Sequence, residues 1–314
     1  MKVYFDNVNW DAEHTGPNCF AKRLAIQLGN MGITLADPDD YDVALVFIEP
    51  TAKLNFKKPF VQRVDGMWFK PEQHKAGMNN NIEWTHRNAD LVIHQSDFDR
   101  QMLTKWLGEP KKSVIIRNGI DVQPANLRSE VLTDIRKRFD KVFVCSANWH
   151  PQKRLRDNVE VFRHIRATQH LSSCLIVLGS NPDYHVADKG IFYTGSIRHD
   201  LCAEAYSIAD WMIHLAWLDH CPNVVVEAIA QACPVICSSE GGTKELAEGG
   251  NGVVIPDTEK YDFSLVDYDN PPRVSLQNVP TLPENFRPAP DTVNIVETAK
   301  KYAEALQFAM NAPR

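Results

Sequence analysis

The chain has 314 residues, 44% hydrophobic and 24% charged, which is the profile of an ordinary soluble globular protein with length for about two cores. A formal net charge of −6 and a pI near 6.0 argue against a nucleic-acid binder and give no general attraction to anionic lipid. No run reaches the roughly 18 apolar residues of a membrane span, and the N-terminus enters a strand rather than a signal peptide, so a cytoplasmic protein is expected. Seven scattered cysteines form no CxxC pair, as expected of reduced, packed thiols.

In chain order, a strand is predicted over 2–5, then a loop with Gly16 and Pro17, then a helix with Phe20, Leu24, Ile26 and Leu28 as apolar positions. Strands follow at 43–48, 59–64, 91–94 and 113–116, and Ser96 reads as a helix N-cap with Asp99 three residues on. After the turn Asn118, Gly119, Ile120, Asp121 comes a charged helix over 130–139, and the alternation restarts. Strands are expected at 141–146, 174–178, 191–193, 211–215 and 234–237, with helices near 156–168, 201–208 and from Asn223, whose apolar positions include Val224, Val225, Ala228, Ile229 and Ala232. Residues 270–290 hold six prolines and read as an extended connector. The last helix, 291–310, has an apolar face of Val293, Val296, Ala299, Ala303, Leu306 and Met310.

This alternation predicts an α/β protein of two Rossmann-like domains, residues 1–122 and 123–290, facing each other across a cleft. Dehydrogenases share it, but the first loop, DNVNWDAEHTGPN, has no GxGxxG fingerprint. GxSxG, Walker A and zinc-protease motifs are absent from the sequence, and no cluster of His, Cys, Asp or Glu has metal-ligand spacing.

The chemistry concentrates between Asp219 and Glu245. Two carboxylates, Asp219 and Glu227, bracket a helix start at Pro222 and Asn223, and a buried strand and the glycine turn Gly241, Gly242 follow. A helix N-terminus suits a diphosphate, and a carboxylate in its first turn can accept hydrogen bonds from ribose hydroxyls. On the bland reading such acidic residues are simply caps and dipole partners.

An acidic residue, seven spacers and a glutamate is the signature of the retaining glycosyltransferases of the GT-B fold, family 4 type (glycosyl transferases group 1), which this sequence resembles. The resemblance implies that Glu227 binds the donor ribose, that Asp219 faces the transferred sugar, and that Pro222, Asn223 and Val224 line the donor. Asp219 stands where the family usually has glutamate. In SANWHPQKRL, Lys153 matches the family's phosphate-gripping lysine and Asn148 replaces its arginine, with Arg154 as a candidate to compensate. Ser196 and Ile197 carry over as the loop contacting the donor base, and Gly16 as a weak match to a glycine-rich turn. His199 reads as an exposed turn residue.

At the end of a strand in the first half, Asp65 is a candidate to orient the acceptor hydroxyl or support the sugar, Arg63 either binds phosphate or pairs with Asp65, and Gln95 is a possible cleft residue. The resemblance further implies a donor site in the second half, an acceptor site in the first, and a last helix that crosses back to the first domain. It also implies independence of metal ions and of any cofactor beyond the nucleotide-diphosphate sugar substrate. The expected activity is sugar transfer to an acceptor hydroxyl with retention of configuration, as in a hexosyltransferase; carbohydrate, lipid-linked sugar and protein side chain stay open as acceptors. The competing readings are a GT-B sugar-nucleotide epimerase or hydrolase, and a nucleotide-sugar-binding module that has lost turnover.

Overall fold

The computed structural model describes residues 1–12, 16–126 and 128–312. They form two compact units. Unit 1 comprises Met1–Asp121, Phe263–Val266 and Asn294–Arg314; unit 2 comprises Val122–Asp262 and Asp267–Val293. Residues 263–266, expected in the second domain, thus group with unit 1: Trp106 Nε1 donates to Phe263 O at 2.8 Å and Val266 N to Phe69 O at 3.0 Å.

The strands of unit 1 are β1 (Lys2–Asp6), β2 (Thr34–Leu35), β3 (Val43–Phe47), β4 (Phe60–Arg63), β5 (Leu91–His94) and β6 (Ser113–Ile115), and its helices are α1 (Gly16–Asn30), α2 (Pro71–Lys75), α3 (Asn80–Asn88) and α4 (Asp97–Leu107). Unit 2 has β7 (Lys141–Ser146), β8 (Ser173–Leu178), β9 (Ile191–Gly195), β10 (Trp211–His214), β11 (Val235–Ser238) and β12 (Gly252–Ile255), with α5 (Glu130–Arg138), α6 (Leu155–Thr168), α7 (His199–Ile208), α8 (Asn223–Ala230) and α9 (Thr243–Ala247). The last helix, α10 (Ile295–Asn311), belongs to unit 1.

Each unit is one parallel six-stranded sheet, ordered β2-β1-β3-β4-β5-β6 and β12-β11-β10-β7-β8-β9. In both, the order reverses beside the unit's first strand, at β1/β3 and at β7/β10. An open parallel sheet of this kind leaves a crevice at that switch point, outside the carboxyl ends of its strands. The edge strands β2, with both residues exposed, and β12, mostly half-buried, are absent from the sequence reading because neither forms a fully buried apolar run.

Alternation along β3 divides the core of unit 1. Val43, Leu45 and Phe47 face α1 and α10, while Ala44 and Val46 face Ile82 of α3 and Leu103 and Leu107 of α4. In unit 2, Phe143, Leu175, Val177, Ile213 and Ile236 pack on Leu155, Val159 and Phe162 of α6. The proline-rich segment is extended but not loose, since Val274 and Leu282 are buried in that core and Val274 N donates to the Asp157 carboxylate at 3.1 Å.

Three helix details correct the sequence reading. Ile26 is 64% exposed, because it lies about 200° around α1 from buried Leu24. Helix α8 ends at Ala230, and Ala232 is exposed with φ 57° in the turn toward β11. The last helix starts at Ile295, with the Asn294 side chain accepting from Val296 N at 2.9 Å, and its buried face is Ile295, Thr298, Ala299, Tyr302, Ala305, Leu306 and Ala309. Tyr302 packs on Phe20, a buried aromatic contact that displaces the expected Val296, which is 37% exposed.

Candidate functional site

The switch point of unit 2 brings two predicted residues together. Lys153 ends a 3-10 turn, Pro151–Lys153, in the connection after β7, and Asp219 lies in the connection after β10; their side chains form an ion pair. Backbone ties hold the two connections. Trp217 N donates to Gln152 O at 2.7 Å, and the buried Asn158 donates to Lys153 O at 3.1 Å and Arg154 O at 2.8 Å while accepting from Leu215 N at 3.3 Å.

Asp219 is set by a tight backbone. Leu218 before it has φ 55°, and Gly242 N donates to Asp219 O at 2.7 Å. Gly241, at φ +110°, passes so close that an added Cβ would lie 3.0 Å from Asp219 N and O, so the glycine turn serves to let this loop close. The carboxylate also meets His214 Nε2 at 3.4 Å and accepts from His220 N at 3.1 Å. Burial acts to raise the Asp219 carboxyl, but Lys153 and His214 outweigh it and hold the group well below the usual carboxylate range. Burial lowers the His214 imidazole, with Asp219 opposing. Around neutral pH this is an ionised carboxylate between an ammonium and a neutral imidazole.

Glu227 sits differently from the reading above. It is the fifth residue of α8, in the second turn, so it is not a first-turn cap. It is 9% exposed, and its Oε1 lies 3.1 Å from Nε2 of His199, the first residue of α7. His199, read from sequence as an exposed turn residue, is exposed but committed to Glu227. Ser196 and Ile197 lie before Arg198, the residue that enters this helix, with Ser196 exposed and Ile197 half-buried. Pro222 is buried at the entry of α8, and Asn223 and Val224 are half-buried in its first turn.

Asn148 is exposed and accepts from Ser180 Oγ at 2.8 Å and Asn181 Nδ2 at 3.2 Å. Arg154 does not compensate for it. Its backbone is left-handed, φ 51°, and its fully buried guanidinium pairs with buried Asp257 at 2.8 Å and points to Leu215 O at 3.4 Å. The Asn158 bonds and the Asp257 partner position Arg154 as a strut inside unit 2, which adjacency to Lys153 in sequence concealed.

The first-half residues form their own group in unit 1. Arg63, 1% exposed, pairs with Asp65, donates to Asn118 Oδ1 at 2.8 Å and lies over the Phe20 ring at 4.4 Å. Gln95 Nε2 donates to Asp65 Oδ1 at 2.5 Å and to Val64 O at 3.0 Å. Of the two alternatives for Arg63, the structure therefore shows the pair with Asp65. Gly16 is exposed at the first position of α1, away from this network in sequence.

His214 and Asn158 escaped sequence reading, as did the contact of His199 with Glu227. For His214 a signal existed, a polar residue ending a buried strand one loop ahead of the acidic segment; for Asn158 there was none. Among the described residues no group of three or more His, Cys, Asp or Glu is arranged to hold a metal ion, and no helix is long and apolar enough to cross a membrane.

Residues 140–264, which carry all of the Lys153, Asp219 and Glu227 geometry, match the family described as Glycosyl transferases group 1. The N-acetyl-alpha-D-glucosaminyl L-malate synthase of Bacillus anthracis is 24% identical over 192 residues, 55% of this chain and 48% of that protein, so the chain spans about half the length of this curated relative. Among solved structures, Anabaena HepE in complex with UDP-glucose is similar over 98% of this chain and 99% of its own, with TM-score 0.67 and 15% identity. Sucrose-phosphate synthase from Thermosynechococcus elongatus matches over 99% and 96%, with TM-score 0.65 and 13% identity. The chain thus has the two-domain α/β fold of GT-B glycosyltransferases.

Proposed function

We propose that this protein transfers a sugar from a nucleoside diphosphate donor to an acceptor hydroxyl, with retention of configuration. The observation that carries this reading is the Lys153–Asp219 pair at the switch point of unit 2, beside the positive end of α8. Lys153 and that helix end supply the positive charge that offsets the leaving diphosphate. Glu227, oriented by His199, accepts the ribose hydroxyls, and the Ser196–Ile197 segment meets the base. Asp219, kept ionised, accepts from a hydroxyl of the transferred sugar once the diphosphate takes over Lys153.

In the transfer itself, the bond from the anomeric carbon to the phosphate oxygen breaks. The acceptor oxygen bonds to that carbon on the same face, and its proton passes to the departing phosphate. No strong side-chain base is then required. Solved in complex with UDP-glucose, HepE shares this fold, so UDP-sugars are the first donors to try. Product NMR after incubation with UDP-sugars and a panel of hydroxyl acceptors should show a glycoside with the donor's anomeric configuration, and Glu227→Ala should lose UDP affinity. An inverted product defeats retention; UDP bound tightly with no turnover at any acceptor leaves a binding module; an isomerised sugar makes it an epimerase.

A further inference from the structure

Unit 1 holds a ligand-sized cavity that the donor reading does not use. About 660 Å3 opens beyond the carboxyl ends of β1, β2 and β3, lined among others by Asn7, Asn9, Trp10, Asp37, Thr51 and Lys53. That volume lies in the range of about 300–1,000 Å3 common to small-molecule sites. It also sits at the β1/β3 switch point of its sheet, where open α/β sheets take ligands.

Trp10 is 42% exposed, yet its ring is held, stacked on buried Phe5 with centroids 6.0 Å apart and planes 22° from parallel. Such an indole is a rigid apolar platform at low entropic cost. The polar groups around it are fixed in advance. Asn7 has φ 61° and anchors its Nδ2 on Phe47 O at 2.9 Å, and Asn9 accepts from Asp11 N at 3.0 Å. An amide has two donors and an accepting oxygen, so one anchoring bond does not exhaust it. Below them the fully buried Asp6 accepts from Thr51 N at 2.8 Å, from Thr51 Oγ1 at 2.5 Å and from Tyr4 OH at 3.1 Å. Burial, aided by Asp6, pushes the Tyr4 phenol up to about 12, so it stays a donor.

We propose that this cavity binds a neutral hexopyranose, its C–H face on the Trp10 indole and its hydroxyls on Asn7, Asn9 and Asp37. Pyranose rings combine an apolar face with a rim of hydroxyls, and the wall offers that same division: one aromatic plane, planar amides and a carboxylate. Asp37 and Lys53 together contribute no net charge, which disfavours a diphosphate or another polyanion here. Given the glycosyltransferase reading above, the sugar bound is the acceptor, so the acceptor class is a carbohydrate.

The full chain, labelled at indole nitrogens, would be titrated with methyl glucoside, methyl galactoside and methyl mannoside and followed by NMR. The indole N–H signal missing from Trp10→Phe is the one that should move and saturate with at least one glycoside. Trp10→Ala should weaken that binding about tenfold, as expected for losing a stacking platform, while Trp10→Phe and UDP affinity stay near wild type. Absence of saturation by every glycoside, or equal binding by Trp10→Ala, overturns the site. Glycoside binding that depends on Trp10 without transfer from any donor keeps the site and defeats the glycosyltransferase reading. Transfer with an unchanged acceptor KM in Trp10→Ala defeats the assignment of this sugar as the acceptor.

Discussion

Replacing Lys153 by methionine removes the ammonium while keeping most of the apolar stem. A hydrogen bond from a charged donor is worth about 1.5–3 kcal/mol, which converts to roughly 10- to 150-fold in the dissociation constant for UDP. The same ammonium is held by Asp219 before any donor arrives, with the two side chains 24% and 16% exposed. A partly screened pair of this kind is worth up to about 1 kcal/mol, so Asp219→Asn should bind UDP up to about fivefold more tightly while transferring sugar more slowly. Isothermal titration with UDP on both variants, with circular dichroism to confirm folding, separates the two effects. Wild-type UDP affinity in Lys153→Met refutes the phosphate contact. Weakening in Asp219→Asn as large as in Lys153→Met would show that Asp219 organises the lysine rather than competing for it.

Two further outcomes follow from buried groups. His86 is fully buried beside His94, and burial, with that neighbour, lowers its imidazole to about 4 from an ordinary 6.5. The unfolded chain therefore takes up this proton first as pH falls, so stability present above pH 6.5 is lost between 6.5 and 4, by about 2 kcal/mol from pH 7 to pH 5. Urea unfolding at the two pH values should show that loss shrinking in His86→Leu; an undiminished loss puts the acid sensitivity elsewhere. Gly241→Ala forces a side chain into φ +110° against Asp219 and should cost unit 2 about 1–3 kcal/mol, read as a lowered Tm together with altered UDP affinity. An unchanged Tm would mean that the loop relaxes without strain.

Legibility in the sequence followed the physics of each signal. Strands buried on both faces, such as Val43–Phe47 and Ser173–Leu178, announce themselves as apolar runs. Lys153 and Asp219 lie in the connections directly after β7 and β10, and the roles expected for them and for Glu227 rest on the family resemblance. Arg154 was misread because residues 153 and 154 share a loop but not a direction: one left-handed backbone residue turns its guanidinium inward to Asp257. The face of α10 was legible at Ala299 and Leu306, which are buried, but not at Val296, which is exposed, and the Phe20–Tyr302 contact lies at the centre of the face that packs.

By itself the sequence determined the parallel α/β alternation, the order of the strands along the chain and the loops that carry charge, since these depend on local periodicity and turn chemistry. The tertiary structure alone decided which charges meet. His214 behind Asp219, His199 on Glu227, Asn158 between two loops and the Trp10 cavity all join residues from separate connections, and their contacts exist only after the sheet order brings the carboxyl ends of non-sequential strands side by side.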